Sequence, residues 1–231
     1  MIKFDDTKIR LYESFIRDSV NSIVQRIDFE KLDKEDKLFL TKIKERLCFD
    51  RDNGWRFLTS SLDTIGDSQF AITTFLNHKI ENGNKFNTGE NYLRLYGVLS
   101  AVYIQQQAIL KLSDLFKTGH QEKLKKDFED LEITFLRHCI SAHPINYSNN
   151  ISKVSFKIDR SSLNDNGLLN IIDESNNFKT YNIFQLLKEY ISQAEKCLEV
   201  ISQKLISNCY KTAKKKFEEL NIELEKIKNR R

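Results

Sequence analysis

One proline and only seven glycines in 231 residues constrain this chain more than any other feature. An all-β fold spends Gly and Pro on its many turns, so that architecture is excluded first. Collagen-like and Pro-rich linker material is excluded by the same counts. Long amphipathic helices are what such a chain can build. Hydrophobic residues at 40% against charged residues at 30% give a globular rather than a disordered mix. Roughly 70% of the extended surface is buried at this length, enough for a core without disulfides.

The apolar spacing predicts the helices one by one. Residues 6–28 carry a stripe from Ile9 and Tyr12 to Ile23 and Ile27, and residues 34–48 a second through Leu38, Phe39, Ile43 and Leu47. Phe57–Ile80 follows; Gly66 inside it costs about 1 kcal/mol against Ala, so a kink or break is expected there. Glu81–Gly89 reads as a loop. Glu90–Phe116 is apolar nearly all round and is expected to be central and buried. Gln105, Gln106 and Gln107 interrupt it, and with Asn91 and Arg94 they are expected to pin neighbouring helices. A further helix is predicted over Gln121–Ala142.

The period then changes. Lys153–Asp159 alternates apolar and polar residues, the pattern of a half-buried strand. Val154, Phe156 and Ile158 should face the body, with Lys153, Ser155 and Lys157 in water. Asp165-Asn166-Gly167 signals a turn, and Leu168–Asp173 a returning strand, so a β-hairpin insertion is expected over 151–178. The last element is long. Leu187, Ile191, Ala194, Leu198, Ile201 and Leu205 form a heptad seam, which slips at Cys209–Phe217 and resumes at Leu220. Eight basic and four acidic residues lie in 211–231, a surplus equal to the net charge of +4, so the first 210 residues sum to zero. The tail is therefore expected to project from the body and meet RNA phosphates or another chain. The whole is read as all-α: a helical bundle over 1–207 with the hairpin inserted, and a basic C-terminal helix extension over 208–231.

Several chemistries lack their residues. There is no P-loop, no G-x-G-x-x-G and no H-E-x-x-H. The four cysteines are scattered without a C-x-x-C pair, and Asp5 and Asp6 stand where a signal peptide would be apolar, so a reducing cytoplasm is expected. No apolar run reaches the ~20 residues of a membrane span. Neither a metal nor an organic cofactor is expected.

One stretch concentrates reactive groups: Phe135-Leu136-Arg137-His138-Cys139-Ile140-Ser141-Ala142-His143-Pro144. Pro144 biases His143 out of helical φ/ψ, so the helix should end there. Basic residues at a helix C-terminus also answer its macrodipole, which is the plain structural reading. On a continuous helix Arg137 and His143 would point about 120° apart after ~9 Å of rise. Either the helix breaks after Arg137 or two copies of the chain complete one site. Ser141, four residues after Arg137, and Tyr147 are further phosphate contacts to consider. A Cys139–His nucleophilic pair lacks a recognisable frame. Trp55 beside Arg51 and Arg56 suits base stacking or, equally, anchoring a core.

Arg137-His138-x-x-x-x-His143, ending in Ile-Ser-Ala-His-Pro, resembles the signature of the HEPN superfamily: Arg, four to six residues, then His, often with a polar residue after the Arg. The resemblance covers about residues 60–205 and implies an up-and-down helical bundle that dimerises. Many such proteins are metal-independent ribonucleases of bacterial toxin–antitoxin or antiviral systems. The resemblance therefore implies an endoribonuclease leaving a 2′,3′-cyclic phosphate, or an RNA-binding relative. An antitoxin or nucleotidyltransferase is the implied partner beyond the second copy. His143 would be the principal general acid/base, Arg137 the clamp on phosphate charge and His138 their support; Ser141 and Tyr147 would contact RNA. The alternative is a non-catalytic dimeric helical interaction protein.

Overall fold

A computed structural model describes residues 2–27, 36–78, 88–119, 121–142, 144–145, 147–148, 153–163 and 167–230. His143, Ile80 at the end of the expected third helix, residues 81–87 of the expected loop, and Asp165–Asn166 lie outside the described residues, as do the side chains of Leu38 and Lys153. The described chain is mostly helical, with a small three-stranded antiparallel sheet. Among the described residues no helix is long and apolar enough to cross a membrane.

The helices are α1 Lys8–Val24, α2 Asp36–Arg46, α3 Gly54–His78, α4 Thr88–Leu115, α5 Gln121–Glu129, α6 Glu132–Arg137, α7 Ile183–Cys209 and α8 Lys214–Lys228. Thr7 caps α1 by accepting from the Arg10 amide, and the stripe of Ile9, Tyr12, Ile16, Val20 and Ile23 is buried. That face packs on α3, α7 and α8, while α3 and α4 make the broadest helix pair. No break occurs at Gly66: α3 runs as one helix from Gly54 to His78. Gly66 instead leaves room for a side chain, since a Cβ there would stand 3.2 Å from Arg10 Nη1.

Gln105 and Gln106 of α4 pin the body as expected, whereas Gln107 is exposed and Arg94 pairs within its own helix. Gln105 Nε2 donates to Ile65 O at 3.1 Å and to Gln69 Oε1 at 3.2 Å, and its own Oε1 accepts from Tyr190 Oη at 2.7 Å. The central, all-round burial expected of α4 needs correction. Leu95, Leu99, Val102, Ile109 and Leu112 are buried, but Leu93 is 72% exposed, with Tyr96 and Ile104 exposed on the same side. The residues are apolar round the girth, yet the body covers only part of it.

The long C-terminal helix is also corrected. The seam from Leu187 to Leu205 is buried in α7 except for the half-buried Ile191, and the slip in spacing is a chain reversal at Tyr210–Ala213. Tyr210 fixes the corner by donating to Ser19 O at 2.6 Å. Instead of projecting, α8 lies against α1 and α7 and buries Leu220, Leu224 and Ile227. Lys228 pairs with Glu199 at 2.9 Å and Arg230 with Asp6 at 2.6 Å, so part of the tail's charge is used within the chain.

The expected hairpin is larger than two strands. β1 (Tyr147–Ser148) and β2 (Lys153–Val154) form a short pair, and β3 (Phe156–Ile158), β4 (Leu168–Asp173) and β5 (Phe178–Asn182) form an antiparallel sheet in that order. Val154, Phe156 and Ile158 are half-buried and Ser155 and Lys157 exposed, matching the alternation. Strand β5 extends the insertion to Asn182, whose side chain caps α7. Gly167 enters β4 at φ +71 against Phe184, a position with neither the backbone freedom nor the space for a Cβ.

Candidate functional site

The motif lies where the expected helix over Gln121–Ala142 gives way to three pieces. α5 stops at Glu129, and α6 restarts at Glu132. Thr134 makes the break affordable in hydrogen bonds: its Oγ1 donates to Phe128 O at 2.8 Å and accepts from Gln106 Nε2 at 2.9 Å. The Phe128 carbonyl, which also takes the Leu131 amide at 3.3 Å, thus gains a second donor at the end of α5, and α4 is tied to the corner. α6 then ends at Arg137, and His138–Ala142 continue as a π-helical turn. Such turns replace the i→i+4 ladder with i→i+5 and are frequent at functional sites. The 120° relation of a continuous α-helix therefore does not apply beyond Arg137. Ser141, half-buried on the π turn, no longer shares Arg137's face by α-helical spacing.

Arg137 is half-buried, and its guanidinium carbon stands 3.6 Å from the centroid of the Tyr103 ring on α4. Among the described residues no carboxylate pairs with it. A guanidinium stacked on a ring keeps the N–H donors around its edge, so it is positioned without using the donors that recognise phosphate. This is not the helix-capping role of the plain reading, in which its donors would go to the final carbonyls. His138, half-buried, has its ring 6.5 Å from that of Tyr147. Tyr147 also meets Phe135 at 5.5 Å and Phe156 at 5.8 Å, both edge-on. Phe156 N donates to Pro144 O at 2.7 Å, which joins the end of the motif to strand β3. The sheet is thus built onto the motif through one backbone bond and a ring cluster.

The other candidates separate clearly. Cys139 is fully buried, and burial pushes its thiol up to about 12, which removes the thiolate a nucleophile needs. Trp55 packs edge-on against Phe39 at 6.4 Å, an anchor for α2 on α3. Arg94 pairs with Glu90 at 2.9 Å. Among the described residues no three His, Cys, Asp or Glu side chains gather as metal ligands.

Three neighbours of the motif were not legible in its sequence. Tyr103 reads as one more apolar position of α4. Lys179 reaches from β5 to Glu132 at 2.8 Å, and that hydrogen bond raises its pKa. Tyr181 is 3% exposed beneath the sheet. No short motif marks any of them; their nearness to Arg137 or Phe135 arises from the packing of α4 and β5 around α6.

Compared with known proteins, the chain matches no family model, no curated protein and no solved structure.

Proposed function

We propose that this chain is a HEPN-like, metal-independent endoribonuclease, or an RNA-binding relative of one, acting in bacterial toxin–antitoxin or antiviral defence. The observation that carries the reading is Arg137: a half-buried cation oriented by the Tyr103 ring, with no carboxylate partner among the described residues, directly before a π turn and the second histidine of the motif. Its fork suits two non-bridging oxygens of one phosphate. In the proposed reaction the RNA 2′-OH attacks the adjacent phosphorus. The 5′ oxygen of the next nucleotide leaves, and a 2′,3′-cyclic phosphate remains. His143 carries the proton transfers, for which an imidazole near pKa 6.5 suits neutral pH. Arg137 neutralises charge growing on the phosphorane, and His138 supports the pair. Ser141 and Tyr147 contact the RNA backbone.

The reading includes a C2 dimer of up-and-down bundles. What supports it is the uncovered side of α4, where Leu93, Tyr96 and Ile104 are exposed on the helix that also carries Tyr103. A stable dimer buries at least about 1,200 Å² in total. Light scattering at micromolar concentration is expected to return twice the monomer mass, and a monomer alone counts against this part. The test of the activity is incubation of labelled single-stranded RNA with purified protein in EDTA. Cleavage is expected to persist and to fail in Arg137→Ala and His143→Ala. If both variants unfold, the motif is structural, and the non-catalytic interaction reading takes its place.

A further inference from the structure

Between α6 and the inner face of the sheet lies a cavity of about 220 Å³ whose wall holds Phe135, Phe156, Ile171, Phe178, Lys179 and Tyr181, with Asp173 and Asn177 at one end. It is smaller than the 300–1,000 Å³ typical of sites for whole organic ligands, and flat rings form much of its wall. Phe135 and Phe156 stand edge-on to each other at 6.1 Å. Phe178 is 65% exposed at the rim, a large apolar side chain the fold leaves in water.

A second observation points to a ligand. The Tyr181 hydroxyl is buried, and among the described residues it has no hydrogen-bond partner. The Lys179 ammonium comes near it, 4.7 Å from the ring centroid, without reaching full hydrogen-bond geometry at the oxygen. Burial pushes the hydroxyl pKa up and the ammonium pulls the other way. Buried polar atoms are seldom left unpaired in native proteins. An orphan hydroxyl in a slot walled by phenylalanines calls for a planar ring with a polar edge.

The slot adjoins the motif. Tyr147 touches Phe135, Phe156 and His138 in turn, so the ring cluster joins the slot to the first histidine of the motif. A strand held at the motif would bring a neighbouring base to Phe135 and Phe156. Lys179 stands on the wall of the slot. Resting on the RNA reading above, we infer that this slot holds one unpaired nucleobase of the bound strand, stacked against Phe178 and read at its edge by Tyr181. The inserted sheet then supplies base preference, while the motif supplies chemistry.

The experiment measures binding without cleavage, using fluorescently labelled 2′-O-methyl homopolymers and an abasic strand of equal length, followed by anisotropy. Methylation removes the nucleophile, so the result does not depend on catalysis. One homopolymer is expected to bind about tenfold more tightly than the abasic strand, the scale of one stacked base. Phe178→Ala should remove most of that advantage; Tyr181→Phe, which deletes only the orphan oxygen, should keep affinity but level the homopolymers. Such a pattern upholds the slot even if the unmethylated RNA is never cut, in which case only the ribonuclease reading fails. Equal binding of abasic and normal strands, or variants indistinguishable from wild type, overturns the inference and leaves a packing gap, whether or not cleavage occurs. Nucleoside monophosphates binding as tightly as strands would also overturn it, by making the occupant a free nucleotide.

Discussion

Arg10 and Arg137 both lie over an aromatic ring, Arg10 at 4.8 Å from Phe4 and Arg137 at 3.6 Å from Tyr103, yet their charges are used differently. Arg10 also binds Glu13, a fully buried carboxylate, whose other oxygen takes Arg17 Nε at 2.6 Å; Arg17 in turn reaches Asp63 at 2.9 Å. This network serves the fold. Both its cations are paired with acids, Glu13 of the same helix and Asp63 of α3. Arg137 has the ring alone among the described residues. The same side chain, with the same kind of aromatic support, is structural where a buried carboxylate answers it and available to a ligand where none does.

Removing the buried acid should have the largest effect on stability. Glu13→Ala takes from Arg10 and Arg17 the buried carboxylate they share, leaving them only the exposed Asp5 and Asp63; breaking a buried pair costs about 3–5 kcal/mol. The side chains of Arg10 and Arg17 retain 23% and 36% of their exposure and can regain some water, so about 3 kcal/mol is expected from urea unfolding. A loss below about 1 kcal/mol would break the comparison from its structural side.

Arg137→Ala should reverse the pattern. Cleavage is expected to fall ~10²–10³-fold, the effect of losing one stabiliser of developing charge, while urea unfolding shifts by about 1 kcal/mol, the scale of a cation–π contact. Arg137→Lys should recover only part of the rate, because a point charge does not replace a two-pronged donor. Full recovery would show that charge alone suffices.

Tyr103→Leu sharpens the same contrast more gently. It keeps apolar bulk and deletes the ring face, so cleavage is expected to slow about tenfold with the fold intact. An unchanged rate would mean that the ring does not position the guanidinium.

The smallest effect belongs to the carboxylate of the sheet. Hydrogen bonds from Asn177, and then from the Ser175 amide, hold Asp173 below the usual carboxylate range. Its folded pKa is lower than its unfolded value, so its contribution is present above about pH 4 and is lost as pH falls through the folded value. Asp173→Asn should flatten that acid limb, because the variant lacks the small contribution at neutral pH that wild type loses in acid; cleavage near neutral pH should not change.

Much of the helical body was legible because its signal is periodic. The stripes of α1 and α7 emerge at their buried positions, and the alternation of 154–158 sets its faces correctly. The misses have physical causes. β5 carries Lys179 and Tyr181 on its inner side, so the strand lacks an apolar alternation and hides in the sequence. The slip at Cys209–Phe217 could equally continue a helix or reverse it; Tyr210 docking on Ser19 decides, and no local pattern encodes that contact. The break at Asp130–Leu131 depends on Gln106, 28 residues from Thr134. At the candidate site the short motif singled out Arg137, but the ring beneath it and the sheet beside it come from packing.

The proposed role of Arg137 and His143 is chemistry on RNA rather than support of the fold. The most direct test follows a labelled single-stranded RNA with wild type and His143→Ala in EDTA, identifies the product end group, and records the melting temperature of each protein. The account expects wild type to leave a 2′,3′-cyclic phosphate, and His143→Ala to make no cut while melting within a few degrees of wild type. No cleavage by the folded wild-type protein on any single-stranded RNA, or loss of cleavage only together with loss of the fold, would contradict it.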